Sequence, residues 1–376
     1  MPTMQQQAQE VRLSSALPAA TPQRLLVLAD VVGATQVISF LRPLGALQSA
    51  GALTLAMEAD RPEWQSATVR QAHWEAWQPT TLIFSRVTAS RVLQFASLAR
   101  ESGVPVIFHL DDDLLDVPIQ LGAAKYRRYH QPERLQTLRD GLNAADLVYA
   151  STSELADRLR SHGITSEVVA GDIYPSVETS QFSEPLPATG PVIGYMGTGG
   201  HQEDLEIVVP ALIRLMTDMP TLRFETFGSI PPVEQLARFG SRYAHHDAFM
   251  PYEQFTAALA GLGWWIGLAP LLDIPFNRCK ADTKWLEYSV AGVPVVASNL
   301  APYRRAAASG GCLLADTVAE WTEALATLVR DAGRRRSLVA AARAELALNY
   351  AQPALARQVM GMVELADRLH RARAAE

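Results

Sequence analysis

The chain has 376 residues, 48% of them hydrophobic and 19% charged, with a formal net charge of −6. This composition excludes a disordered polyelectrolyte, and 33 Lys plus Arg set against 39 Asp plus Glu argue against a basic nucleic-acid binder. Two cysteines argue against a disulfide framework, and the length exceeds what one core usually fills, so two domains with a cleft between them are expected.

Residues 1–22 read as a mobile tail without the basic region and long apolar run of a secretory signal. No stretch reaches about 18 uninterrupted apolar residues, so a cytoplasmic protein is expected, with attachment to a membrane surface left open. RLLVLADVVGATQVISFLRPLGALQSAG then reads as strand (25–28), a turn opened by Gly33, and helix. TTLIFS (80–85) precedes a helix over 89–100, VPVIFHL (104–110) precedes DDDLLDVP, and 146–150 feeds a helix over 153–160 and a strand over 167–170. These units form an open α/β domain with a mostly parallel sheet.

SVETSQFSEPLPATG is the best linker, which places a first domain over 23–175, a linker over 176–190 and a second domain over 191–350. The second series runs through a strand at 191–197, a helix over 205–219, a strand at 222–228, and helices over 233–239 and 252–259 around a short strand near Tyr243. Strands follow at 264–268, 295–297 and 312–314. Three helical segments (317–329, 332–348, 353–372) end the chain, the last docked through Val359, Met362, Val363 and Leu365. The segment 351–376 is expected to pack back on the first domain.

The run GLAPLLDIPFNRCKADTKWLEYSVAGVPVVASNLAPY (267–303) joins a basic loop to a helix starting near Asp282 and then to a buried strand. Lys284, Glu287 and Tyr288, three and four positions apart, share one side of that helix. Gly292 and Pro294 close it. Arg278, Lys280 and Lys284 form a compact basic group that reads either as a solvated cluster or as a grip on an anion; the strand beside it favours the ligand. Such a ligand could be a nucleotide-sugar, whose pyrophosphate gains charge as the sugar bond breaks. Glu287 could accept both hydroxyls of a ribose or simply pair with Lys284.

GYMGTGGHQED (194–204) follows a strand with flexible backbone. Amides at Gly197, Gly199 and Gly200 could approach phosphate, and His201 could bond a sugar or phosphate oxygen. Gly33 could cover the diphosphate from the other side. His109, at an expected strand end, is a candidate to contact the reacting sugar or a satisfied supporting histidine. Asp111, Asp112 and Asp113 are consecutive, so on an extended chain they diverge; acceptor binding, capping or structural hydrogen bonding is expected of them rather than a metal. Trp264, Trp265 and Phe276 flank the nucleotide or fill the core, with core packing favoured for the tryptophans; neither Cys279 nor Cys312 reads as a nucleophile.

With these motifs in view, the chain resembles the group 1 glycosyltransferases, the retaining family 4 of GT-B fold. The resemblance rests on GYMG-x-x-x-H-x-x-D, GLAPL-x-D-x-PFN and K-x-x-x-K-x-LEY-x-x-x-G-x-P-x-V-x-S, and is strongest over about residues 190–330. It implies two facing Rossmann-like domains, a nucleoside-diphosphate sugar as donor substrate, no cofactor or dissociable metal, and transfer to a glycan or lipid-linked acceptor with retained configuration. It assigns Glu287 to the donor ribose and Lys280 and Lys284 to the phosphates. The family's first glutamate falls on Cys279, so Asn277, Lys280 or nearby backbone would take over its contacts; Thr198 and His201 occupy the loop where a basic residue is usual. Bacterial polysaccharide or lipopolysaccharide assembly is the implied setting, at the inner face of the inner membrane. A GT-B-like sugar-nucleotide epimerase and a noncatalytic nucleotide-sugar-binding protein are the competing readings.

Overall fold

The computed structural model describes residues 22–184, 190–248 and 252–375. Residues 1–21 of the expected N-terminal tail and the linker residues 185–189 lie outside the described residues.

Two six-stranded sheets organise the chain. The first contains β1 (Gln23–Ala29), β2 (Leu53–Ala59), β3 (Thr81–Ser85), β4 (Val106–Leu110), β5 (Leu147–Ala150) and β6 (Glu167–Ala170), in the order β2-β1-β3-β4-β5-β6. The second contains β7 (Val192–Gly197), β8 (Arg223–Gly228), β9 (Tyr243–Asp247), β10 (Ile266–Ala269), β11 (Val295–Ser298) and β12 (Cys312–Ala315), in the order β12-β11-β10-β7-β8-β9. Every neighbouring pair is parallel. Helices cover both faces, so central strands such as VIFHL and IGLA are buried throughout and read as unbroken apolar runs with a single polar exception, His109.

Strand order reverses between β1 and β3 in the first sheet and between β7 and β10 in the second. At such a switch point the flanking crossovers leave in opposite directions and open a crevice at the carboxyl ends of the strands. In the second sheet that crevice is bounded by the loop after β7 and the loop after β10.

Close packing holds this point rigid. A Cβ at Gly194 on β7 would fall 1.8 Å from the Trp264 ring, and one at Gly267 on β10 would fall 2.7 Å from the Tyr288 ring. Both aromatics need a bare backbone beneath them. Tyr288 is fully buried, and its hydroxyl oxygen accepts the Met196 amide at 2.8 Å, so the helix Thr283–Val290 is tied to β7 while lying on β10. Gly292, at φ 75°, ends that helix in the left-handed conformation glycine tolerates, and Val293 donates back to the Tyr288 carbonyl at 2.8 Å before β11 begins.

The last helix, Gln352–Ala375, returns to the first sheet. Gln358 donates to the Tyr149 hydroxyl and the Ile173 carbonyl and accepts from the Asp172 and Ile173 amides, while Leu355, Val359, Val363 and Ala366 are buried in the core that includes Leu25, Val27 and Phe40. Among the described residues no helix is long and apolar enough to cross a membrane.

Candidate functional site

Where the carboxyl ends of β7 and β10 open, the loop Gly197–Gly200 faces the segment that leads from Leu271 to Lys284. Asp204 fastens the two together. It is 4% exposed, and its oxygens accept from the His201 imidazole (Nδ1, 2.8 Å), the Leu272 amide (2.8 Å) and the Asn277 side-chain amide (2.9 Å). Burial works to raise the Asp204 pKa, but the His201 hydrogen bond, the Leu272 amide and the Lys284 charge together hold it below the usual carboxylate value. An ionised carboxylate only accepts, so the His201 proton sits on Nδ1. Burial and then the Lys284 charge lower the His201 pKa to about 3, leaving the ring neutral with Nε2 as an acceptor.

Lys284 stands in the first turn of the helix Thr283–Val290, with Nζ 5.6 Å from the centroid of the Tyr195 ring. Burial and then the charge of Lys280 pull its pKa down to about 8. Lys280 lies over Phe276, 4.9 Å from the ring centroid, and reaches across the cleft to Asp112 of the first domain at 3.4 Å. Glu287 is partly buried one turn beyond Lys284. Two lysines thus share one partly desolvated crevice at a helix N-terminus, where each raises the cost of keeping the other charged. An anion relieves that cost.

The first domain completes the rim. Thr152 donates to the Cys279 carbonyl at 2.8 Å, and Phe276 and Cys279 are buried among first-domain side chains including Leu114 and Val117. Asp111, Asp112 and Asp113 do not converge on one point: Asp111 accepts from Thr35, Tyr174 and Arg86, Asp112 shares Arg86 and pairs with Lys280, and Asp113 points elsewhere to Arg158 and His162. Among the described residues no group of three or more His, Cys, Asp or Glu is arranged to hold a metal.

The structure therefore brings together Gly197, Thr198, Gly199, His201, Lys280, Lys284 and Glu287, and it separates others. His109 is fully buried within β4, with Nδ1 3.1 Å from the Ser85 hydroxyl, the ring enclosed by Phe40, Tyr149 and Tyr174, and Nε2 without a hydrogen-bond partner among the described residues, so it stands back from the cleft. Arg278 turns away to a forked ion pair with Asp273 at 2.6 and 3.0 Å, beside a separate cavity of about 590 Å³. The Gly33 amide donates to the Gln36 side chain at 2.9 Å, so it would have to exchange that partner to meet a phosphate. Tyr288 is a strut between strands, and Asn277 braces Asp204 and the Leu272 carbonyl. Trp264 is core, as expected, with its indole N–H donating to Glu225 at 2.9 Å.

Two residues at the site were given no role from sequence. Asp204 carried a signal in its spacing of three from His201, which puts both on one turn. Lys125, on the short first-domain helix Ala123–Tyr129, sits against Gly200; its signal was the basic-aromatic run AAKYRRYH.

No protein-family model matches the chain, and no curated protein matches it significantly. Solved structures do. Anabaena Alr3699/HepE, solved with UDP, aligns at TM-score 0.64 and 14% identity over 91% of this chain and 100% of that one. Sucrose-phosphate synthase from Thermosynechococcus elongatus aligns at TM-score 0.63 and 14% identity over 94% and 100%. An E. coli structure described as trehalose-6-phosphate bound with UDP-2-fluoro glucose aligns at 0.61 and 15% over 92% and 99%. These similarities extend across both sheets, and the chain has the GT-B fold.

Proposed function

We propose that this chain is a retaining glycosyltransferase of the family 4 type, moving a sugar from a nucleoside diphosphate to a hydroxyl acceptor in bacterial cell-envelope or exopolysaccharide assembly. The observation that carries this reading is the convergence of Lys280, Lys284 and the Gly197–Gly200 loop at the switch point between β7 and β10, with the Lys284 pKa held down to about 8 by burial and then by Lys280. The UDP and UDP-glucose bound by HepE support the donor class. A similar trehalose-6-phosphate synthase, described as transferring with retention, supports the stereochemistry. In this division residues 23–175 form the acceptor side and 191–350 the donor side.

On this reading Lys280 and Lys284 hold the diphosphate and stabilise the charge that grows on its oxygen as the bond to the sugar's anomeric carbon breaks. Glu287 receives the ribose hydroxyls. Neutral His201, oriented by Asp204, offers Nε2 to a hydroxyl of the sugar; it suits a hydroxyl better than a deprotonated phosphate oxygen, which has no proton to give. The acceptor oxygen bonds to the same face that the diphosphate leaves, and the acceptor proton passes to the departing diphosphate. Glu287 acts as a binder, and no carboxylate is asked to be a nucleophile.

The test incubates the protein with UDP-, GDP- and TDP-sugars and envelope acceptors, followed by mass spectrometry of nucleotide and product. Acceptor-dependent transfer that persists in excess chelator is expected, and it should fall in Lys280→Ala, Lys284→Ala and Glu287→Ala. Free sugar or an epimerised nucleotide formed without acceptor would contradict the proposal.

A further inference from the structure

The Gly197–Gly200 loop belongs to the second domain, yet a lysine of the first domain rests against it. A Cβ built at Gly200 would lie 2.7 Å from Lys125 Nζ and 3.3 Å from the Leu121 carbonyl oxygen, so the ammonium rests directly against the bare backbone of the loop. Among the described residues Lys125 takes part in no ion pair, whereas Arg86 and Lys280 beside it share Asp112 at 2.9 and 3.4 Å. Lys125 as a residue stays solvent-exposed, but its ammonium end is crowded enough that desolvation, then the charge of Lys280, pull its pKa below normal. Cations from opposite domains are thus held near one another across a glycine loop, with the single carboxylate Asp112 shared among them, so an entering anion would add counter-charge that the cluster lacks.

We infer that Lys125 is a ligand of the donor's sugar-bearing phosphate, reaching across the cleft so that the diphosphate is gripped from both domains at once. The inference rests on the nucleotide-sugar reading above and extends it. The second domain alone, through Lys284 and the helix N-terminus, would hold a nucleotide; the first domain, through Lys125, would distinguish a diphosphate from a monophosphate. Affinity for the outer phosphate would then depend on a closed cleft, which couples donor capture to assembly of the acceptor side.

Calorimetry on the full chain tests this with UDP, GDP and TDP and their monophosphates, using wild type, Lys125→Ala, Lys125→Arg and Lys284→Ala. Lys125→Ala should weaken diphosphate binding about tenfold and leave monophosphate binding within about twofold, and Lys125→Arg should retain most of the diphosphate affinity. Thermal melting should show no change, because Lys125 is exposed. Diphosphate affinity unaltered in Lys125→Ala but lost in Lys284→Ala would overturn the inference while sparing the nucleotide site. Equal loss for mono- and diphosphates would overturn the assignment to the outer phosphate. A wild-type protein that binds none of these nucleotides would overturn both readings.

Discussion

Lys280 and Asp112 meet across the interdomain cleft, Nζ to Oδ1 at 3.4 Å, from positions 168 residues apart in the chain. Asp112 also takes the Arg86 guanidinium at 2.9 Å, so one carboxylate supplies counter-charge to cations of both domains. It stands where an incoming diphosphate would compete. Replacing it by asparagine keeps the shape and removes the competing charge, and diphosphate affinity in Asp112→Asn should rise about three- to tenfold at low salt, with a smaller gain at high salt. Calorimetric titration at two ionic strengths checks this.

Lys284 is held charged at a cost. Its pKa is lowered to about 8 by burial and then by Lys280, so between that value and the ordinary value of 10.5 the unfolded chain binds more protons than the folded one. Stability of the ligand-free protein therefore gains from this group as pH rises through that window, and the penalty is fully present at neutral pH. Lys284→Met should melt higher than wild type at pH 7, with the difference closing towards pH 10, while nucleotide binding falls by about 2 kcal/mol or more. Wild-type nucleotide affinity should decline above about pH 8.

Cys279 stands where the resembling family carries a glutamate, but the surroundings here are apolar. The residue is 2% exposed among first-domain side chains, and burial pushes its thiol up to about 12. Cys279→Glu should therefore destabilise by about 3 kcal/mol or more and gain no turnover, whereas Cys279→Ala should cost about 1 kcal/mol. Urea unfolding of the two variants separates these outcomes.

Asp282, just ahead of the helix that carries Lys284, accepts the Tyr350 hydroxyl at 2.5 Å, and burial lifts its pKa to about 6. Because the folded state binds the extra proton between the ordinary value of 3.8 and that raised value, this group's effect on stability worsens as pH climbs through the window. Asp282→Asn, which keeps an oxygen for Tyr350, should match wild type at the acid end of the window and be the more stable protein at pH 7. Melting temperatures across that range measure it.

Much of the fold was legible because parallel strands covered on both faces must be apolar from end to end, as in VVAS, IGLA and VIFHL. β2, LTLAMEA, escaped because an edge strand half open to solvent carries Glu58 and loses that signal. The helix Ala123–Tyr129, AAKYRRY, has no buried face and so no period to read. At the site, Lys280, Lys284 and Glu287 could be found from spacing because they lie on one loop and one helix. Asp112 and Lys125 could not, since only the closing of one domain on the other brings them there. His109 sits at a strand end, which normally opens to a cleft, but here three aromatic rings roof it. Arg278 pairs with Asp273, a neutralising partner visible five residues before it in the sequence.

A crystal structure of the protein with a bound nucleoside diphosphate tests the central claim most directly. The account predicts the diphosphate between the Gly197–Gly200 loop and the N-terminus of the helix Thr283–Val290, in contact with Lys280 and Lys284 and with the ribose on Glu287. A nucleotide seated in any other crevice, with those two lysines unmoved and unliganded, would contradict it.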